Sequence, residues 1–461
     1  MATLTLPIRR ARGYLRTAQS DSLVRNSVYL MASTVVTGGL GCVFWVVAAH
    51  LFTSAQVGAG SAVISFCTTV ALFTYLGAQA MLIERLPGYE GSRKWTAALA
   101  RVCIATSVVT AIVAAIAIPV IAQSKSYESF FISAGALLIA ILGSAIWTMV
   151  NLFGSAFIAA RRAGGFLTVQ GLISLIKIVL LVAAYALGLG AAGIVGTWVV
   201  SAFIGLVLAV LWFLPRLGLG RGRSASSSHR AQGGGSDMMA SADEYPRRIY
   251  RGVRRRQSSK SSYIRRLIGQ HLTSVGGALT PLMLPILVAI RLGVTQNGYF
   301  YITWMIGSLF FMVSPSISSA LFAESVRINT GLRSAVVKAF RATSFILIPT
   351  IVIMIAGGRI VLGIFGTTYV AAGYGLLVVL AISAIPDAVS NIAVSVFRVT
   401  NRLTYSAALN IGIMIMTLTC AWLLAPSFGI VGAGLAWLAA QVLGAIASIP
   451  AYMNLNGKAR P

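Results

Sequence analysis

Long apolar runs, separated by short polar breaks, make up most of the chain. Twelve are visible: 27–51, 58–83, 97–120, 129–157, 166–188, 193–214, 270–292, 299–322, 339–356, 374–397, 404–425 and 429–452. Each approaches or exceeds the roughly 20 apolar residues that a helix needs to cross a bilayer. Runs this long are also far longer than the alternating strands of a membrane barrel. The pattern therefore predicts an all-α multi-pass membrane protein. One long polar interruption, Pro215 to Gly269, follows the sixth run and holds thirteen Lys/Arg against three acidic residues, with SASSS and GGGS tracts between the arginine clusters. Such a segment buries too little apolar surface to offset the entropy of ordering, so most of it is expected to be disordered. The predicted organisation is a basic segment 1–25, a six-helix lobe 26–214, a basic linker 215–269, a second six-helix lobe 270–453 and a tail 454–461.

The two lobes are copies of each other. A shift of 240 residues aligns them without a gap through the fourth span, placing Ala49, Gln56 and Gly58 on Ala289, Gln296 and Gly298, and Glu84 on Glu324. Asn151, Ser155, Phe157 and Arg162 fall on Asn391, Ser395, Phe397 and Arg402, and after a four-residue deletion GIVG at 193–196 meets GIVG at 429–432. Six spans separate the copies, so both run in the same direction. A parallel repeat of this kind places a cavity between two lobes and suits alternating access. Between the spans expected to end outside, the loops are short. The longest, 357–373, mixes glycine with apolar residues and reads as an interfacial half-helix.

Charge fixes the expected sidedness. The net charge is +27 and the mean hydropathy +0.87, with 57% hydrophobic and only 10% charged residues. All Lys and Arg but four (Lys125, Lys177, Arg291 and Arg359) fall at the termini, in the linker or in the loops of one side. This is the positive-inside asymmetry, with both termini and the linker cytoplasmic, and it suits an anionic inner leaflet. Topology thus accounts for the basic balance, and no nucleic-acid partner is expected.

Charges inside spans are costly and usually face a cavity or a partner. Two stand near mid-span, Lys177 in the fifth and Asp387 in the tenth. Lys177 shares a helical face with Gln170, Ser174 and Tyr185; Asp387 shares one with Ser383, Ser390 and Asn391, and it follows Pro386. Lys177 is the candidate for holding an anionic substrate group and Asp387 for carrying a proton or sodium ion. The competing reading is a buried ion pair between the lobes. Hydroxyl stripes recur at Ser61, Ser65, Thr68, Tyr75 and Gln79, and at Ser144, Thr148, Asn151 and Ser155. These either pack helices together or line a hydrated cavity. Glu84 and Glu324, near Arg85, Arg93, Arg327 and Arg333, are candidates for a gate of inner-face ion pairs, or else solvated pairs worth little each.

Other signals carry no chemistry. GLGAAG at 188–193 matches a dinucleotide-binding pattern but joins two membrane helices instead of following a strand. His50, His229 and His271 have no metal-ligand spacing, and Cys42, Cys67, Cys103 and Cys420 lie in apolar spans as small apolar residues. No Ser/His/Asp set or paired-carboxylate motif occurs, so neither an enzyme nor a metal or other cofactor is expected.

The stretches NSVYLMASTVVTGGLGCVFWVVAAHLFTSAQVGAGSAV at 26–63, YLGAQAMLIERLPG at 75–88, IFGTTYVAAGYG at 364–375 and GIVGAGLAW at 429–437 carry a resemblance to the multidrug/oligosaccharidyl-lipid/polysaccharide superfamily, in its oligosaccharide flippase branch. The resemblance covers all but the N-terminal tail and the linker. It implies a transporter in a bacterial plasma membrane that moves a polyprenyl-diphosphate-linked oligosaccharide or polysaccharide precursor by alternating access, its lipid tail staying in the bilayer between the lobes. Glycosyltransferases and a polysaccharide polymerase are the candidate partners beside membrane lipids. A cationic cavity in this family points to Lys177, with Arg25 and Arg101 near the inner mouth, and Gln170, Ser174 and Asn151 complete the candidate substrate set. The two extra spans and arginine-rich first span of lipid II flippases are not seen. The carboxylates of the first or seventh span in drug exporters are missing too. An ion-coupled drug or metabolite exporter and a non-transporting scaffold for glycosyltransferases are the alternatives. Deleting residues 222–262 separates the last from the rest: a transporter keeps much of its transport activity in a cell-surface export assay, whereas a scaffold loses its function.

Overall fold

A bilayer offers no partners to backbone N–H and C=O groups, so apolar runs of this length satisfy them internally as helices. The computed structural model describes residues 22–89, 93–124, 127, 134–160, 162–213, 260–318, 332–400 and 402–453, and no strand occurs among them. The helices are α1 (Ser22–Leu51), α2 (Ser54–Arg85), α3 (Arg93–Ala122), α4 (Ala134–Ala159), α5 (Ala163–Ala186), α6 (Gly190–Leu208, extended by a turn over Ala209–Phe213), α7 (Lys260–Leu292), α8 (Val294–Phe311), α9 (Leu332–Gly363) and α10 (Thr367–Val399).

The last helical run, Leu403–Met453, is 51 residues long. A straight helix of that length would measure about 75 Å, more than twice the bilayer's hydrocarbon thickness. It folds back instead. Pro426 interrupts its hydrogen bonding, and Gly429 adopts φ 60°, ψ −145°, a conformation that side chains with a Cβ rarely take. A Cβ at Gly432 would press on the backbone of Leu424, and one at Gly444 on Ile413, so the two arms lie antiparallel. These arms, 403–428 and 430–447, are α11 and α12. With them, the eleven apolar runs long enough to cross a membrane become twelve.

Two boundaries differ from the sequence expectation. Helix α7 begins at Lys260, not at 270, because Ile264, Ile268 and Leu272 recur every four residues and continue its apolar stripe into the basic segment. The remainder of the linker, most of segment 1–25 and the tail 454–461 lie outside the described residues. The glycine-rich stretch 357–373 is not a half-helix. Its ends belong to α9 and α10, which meet in a tight turn at Gly366, where φ is 123°.

Within the first lobe, α1 packs on α5, α2 on α4 and α6, α3 on α4, and α5 on α6. The second lobe repeats this scheme: α7 packs on the α11–α12 pair, α8 and α9 on α10, and α10 on the α11–α12 pair. Between the lobes, α2 packs on α7 and α8. One large core cluster, containing Phe44, Phe66, Val195, Ile286, Ile302 and Ala384, runs through both lobes. It lies toward the end that carries the turns at 52–53, 187–189, 293 and 364–366. At the opposite end the lobes have separate cores, one around Trp95 and Phe157, the other around Ala339 and Phe397. The molecule thus has one end where the lobes share a core, the joined end, and one where their cores are separate, the open end.

At the joined end the first turns of α2 and α8 cross at Gly58 and Gly298, which are equivalent positions of the repeat. A Cβ on Gly58 would overlap the carbonyl oxygen of Val294, and a Cβ on Gly298 that of Ser54. Glycine is required on both sides for this approach. Fully buried Asn297 ties the crossing by donating from Nδ2 to the Gly58 carbonyl (2.8 Å) and to Ser61 Oγ (3.2 Å). The turn before α2 is itself set by a capping box, in which Thr53 N donates to Gln56 Oε1 (3.0 Å) and Gln56 N to Thr53 Oγ1 (3.3 Å). Gly58→Ala should therefore force the lobes apart here. Spin labels at the repeat-related positions Ala55 and Thr295 should report a longer distance than in the parent protein, and an unchanged distance would contradict the crossing.

Candidate functional site

Beneath the crossing lie two adjoining cavities that share Pro281, Trp304 and Ser308 as a common wall. The first, about 330 Å3, lies between the lobes and is lined by Phe44, Trp45, Ser65, Thr68, Lys177, Trp198 and Tyr301 among others. The second, about 290 Å3, lies within the second lobe and is lined by Thr280, Phe311, Asp387, Ser390, Asn391, Asn410, Trp437 and Gln441 among others.

Packing of α5 on α1 brings Lys177 to the first cavity, where its Nζ stands 4.6 Å from the centroid of the Phe44 ring. The negative ring face attracts the ammonium without neutralising it. No carboxylate lines this cavity. The hydroxyl stripe of α2 divides between two tasks: Ser61 belongs to the lobe crossing, while Ser65 and Thr68 face the cavity. Trp45 of α1 and Tyr301 of α8 meet across the lobes at 4.7 Å between ring centroids.

In the second cavity Asp387 is only 4% exposed. Asn391, one helical turn on, donates to its Oδ2 at 2.9 Å and to its backbone carbonyl at 3.1 Å. Around the carboxylate the wall is rich in unused polar capacity. Gln441 Oε1 and Trp437 Nε1 are buried without a hydrogen-bond partner among the described residues. Pro281 has no N–H to give to the carbonyl of Gly277, and both residues line the cavity. Buried polar groups are normally satisfied, so the acceptors here, the Asp387 carboxylate, Gln441 Oε1 and the Gly277 carbonyl, have the chemistry of a site that receives a cation or a proton, while the Trp437 N–H calls for an acceptor.

Among the described residues no ion pair joins Lys177 to Asp387; the lysine faces a ring and the carboxylate an amide. The other sequence candidates scatter. Gln170 shares a face with Lys177 but lies about 10 Å along the helix from it, where α5 meets α4 and α6, and it lines a small pocket inside the first lobe. Ser174 is buried and donates to the Gln170 carbonyl (2.9 Å). Half-buried Asn151 donates to the Trp147 carbonyl (2.8 Å), and its stripe packs helices, as in the Thr110–Thr148 contact (3.1 Å). Arg101 is exposed on α3, its Nε donating to Ala97 O (3.2 Å), and lines neither cavity. Glu84 is exposed at the open end of α2. The side chain of Arg25, and Glu324 altogether, lie outside the described residues. Sequence reasoning missed Phe44, Trp437, Asn410 and Gln441. The last two are amides within spans, and that was the available signal.

The chain is thus a two-lobed helical bundle with a cavity at the interface of its two repeats. No protein-family model and no curated protein sequence matches the chain. Among solved structures it is similar to the lipid II flippase MurJ in an inward closed conformation, with a TM-score of 0.63 and 11% identity over 94% of this chain and 90% of that one. It is also similar to an inward-facing multidrug resistance transporter of the MATE family, with a TM-score of 0.56 and 15% identity over 93% of this chain and 94% of that one. The chain therefore has the fold of the multidrug/oligosaccharidyl-lipid/polysaccharide transporters, as the sequence resemblance implied.

Proposed function

We propose that the chain is a flippase that moves a polyprenyl-diphosphate-linked oligosaccharide or polysaccharide precursor across a bacterial plasma membrane by alternating access. The observation that carries this reading is Lys177, a cation at membrane depth in the inter-lobe cavity with a ring face and no carboxylate beside it. An isolated buried charge is costly, and an incoming diphosphate would relieve that cost. Ser65 offers a hydroxyl on the same cavity wall, while the Thr68 hydroxyl donates to the Ile64 carbonyl (2.8 Å) and presents its oxygen as an acceptor only. The fold likeness to a lipid II flippase supports the same substrate class.

By the positive-inside asymmetry the joined end would lie outside and the opposite end in the cytoplasm, the side where lipid-linked precursors are made. Asp387 is the coupling group in this reading. A proton or sodium ion entering the second cavity would satisfy the carboxylate and Gln441 Oε1 together. Glycosyltransferases or a polysaccharide polymerase would supply or consume the cargo. The exporter reading is favoured by one feature: the Asp387 cavity is walled by Trp304, Phe311 and Trp437, a lining that also suits an organic cation.

Lys177→Ala should lower surface glycan export by roughly tenfold or more, the scale of losing a charge-assisted contact to an anion, with unchanged abundance in the membrane. Normal export by that variant removes Lys177 from the mechanism, and unchanged glycan alongside lost drug efflux would favour the exporter. Asp387→Asn should slow transport in proteoliposomes and flatten its dependence on pH or sodium; a rate that keeps the parent's ion dependence would end the coupling role.

A further inference from the structure

A further cavity of the second lobe, larger than either polar one, is not part of either polar site. About 420 Å3 in volume, it is an apolar groove between α11 and α12, closed at the open end of the molecule by Phe397 and Tyr405 and reaching Met416 near mid-depth. Tyr405 is 63% exposed and Leu443 47% exposed along it, so it opens toward lipid. Its floor is made by small residues, with Gly412 having nothing within 4 Å of where its Cβ would stand.

The repeat supplies an internal control. The same junction of fourth, fifth and sixth helices in the first lobe, at Phe153, Phe157, Phe166 and Leu206, encloses only about 10 Å3, because Phe166 packs over Gly154. Phe157 and Phe397 are equivalent positions of the repeat. The fold therefore does not require an open groove here; only the second lobe keeps one. A second observation says what fills it. Ile413 lines both the groove and the Asp387 cavity, so a single side-chain layer divides an apolar slot from a polar chamber. The groove runs from the open end to mid-depth, the span of one lipid leaflet. A lipid standing in that leaflet would hold its headgroup at the mouth between the lobes and its chain along the groove.

We propose that this groove binds the polyprenyl tail of the transported lipid beyond its first two isoprene units, which places that part of the tail outside the α11–α12 pair and not between the lobes. The inference rests on the flippase reading. Its test uses the full chain in nanodiscs of dioleoyl phosphatidylcholine, with undecaprenyl diphosphate and geranyl diphosphate as probes. The parent protein should bind the long-chain probe about tenfold or more tightly than the short one, from the additional apolar surface buried. Gly412→Phe, which fills the slot from an open position, should abolish that preference while leaving geranyl diphosphate affinity unchanged, which also reports that the variant is folded. Gly412→Leu should weaken the preference in the same direction. A preference that survives Gly412→Phe overturns the groove assignment. So does a parent protein that binds both probes equally, in which case ordinary bilayer lipid occupies the groove and the flippase reading stands on the shared diphosphate. Binding of neither probe overturns the flippase reading and this inference with it.

Discussion

The contact on which the architecture depends is the backbone crossing of α2 and α8 at Gly58 and Gly298. In a bilayer, lipid tails are as apolar as leucine, so helices gain little from hiding hydrophobic surface and associate through close packing and hydrogen bonds. Two glycines at equivalent repeat positions let the backbones touch at the joined end. Next to that contact lie the shared core, the meeting of Trp45 and Tyr301, and the cavity between the lobes. Asn297 makes the crossing one-sided. Its repeat partner is Val57, so the hydrogen bonds to Gly58 and Ser61 run from the second lobe to the first and have no reciprocal pair. The crossing is therefore held from one side, by the amide of a single residue.

The repeat explains the scaffold, and its departures explain the chemistry. Asp387 occupies the position of Trp147 in the first lobe, where the indole packs against Trp198 at 4.9 Å and fills the equivalent space. The position matching Lys177 in the second lobe is uncharged whichever side of the four-residue deletion it is placed on. Each lobe has therefore kept the shared packing and acquired one charge that the other lacks. A symmetric cavity would present the same group twice; this one presents a cation on one wall and an acid behind the other.

Run length and periodicity made the helices, the twelvefold count and the repeat legible in the sequence, because a helix that must satisfy its own backbone in lipid needs a long apolar stretch. Lys177 and Asp387 were legible for the same reason, as charges where charges are costly. What stayed hidden depends on facing. Gln170, Ser174 and Lys177 share a stripe, yet only the lysine meets the cavity, since a stripe passes different neighbours at different depths. Arg101 sits on α3, whose packing partner is α4, and helix order alone does not say which helix stands on the perimeter. The groove between α11 and α12 was beyond reach as well. The same apolar composition gives a closed junction when a phenylalanine lies over a glycine and an open one when it does not.

Keeping Lys177 and Asp387 in separate chambers has a physical consequence that pairing would forfeit. A buried ion pair between the lobes would satisfy both charges and tie the walls together, and separating it would leave two uncompensated charges in a low-dielectric site. Here Pro281, Trp304 and Ser308 stand between the chambers. Among the described residues the ammonium meets a ring face and the carboxylate an amide, and neither meets an opposite charge. Because α8 supplies Trp304 and Ser308 to both chambers as well as Gly298 to the crossing, a ligand that repacks this wall acts on the helix that closes the joined end. Both chambers and the crossing are thereby joined through one helix.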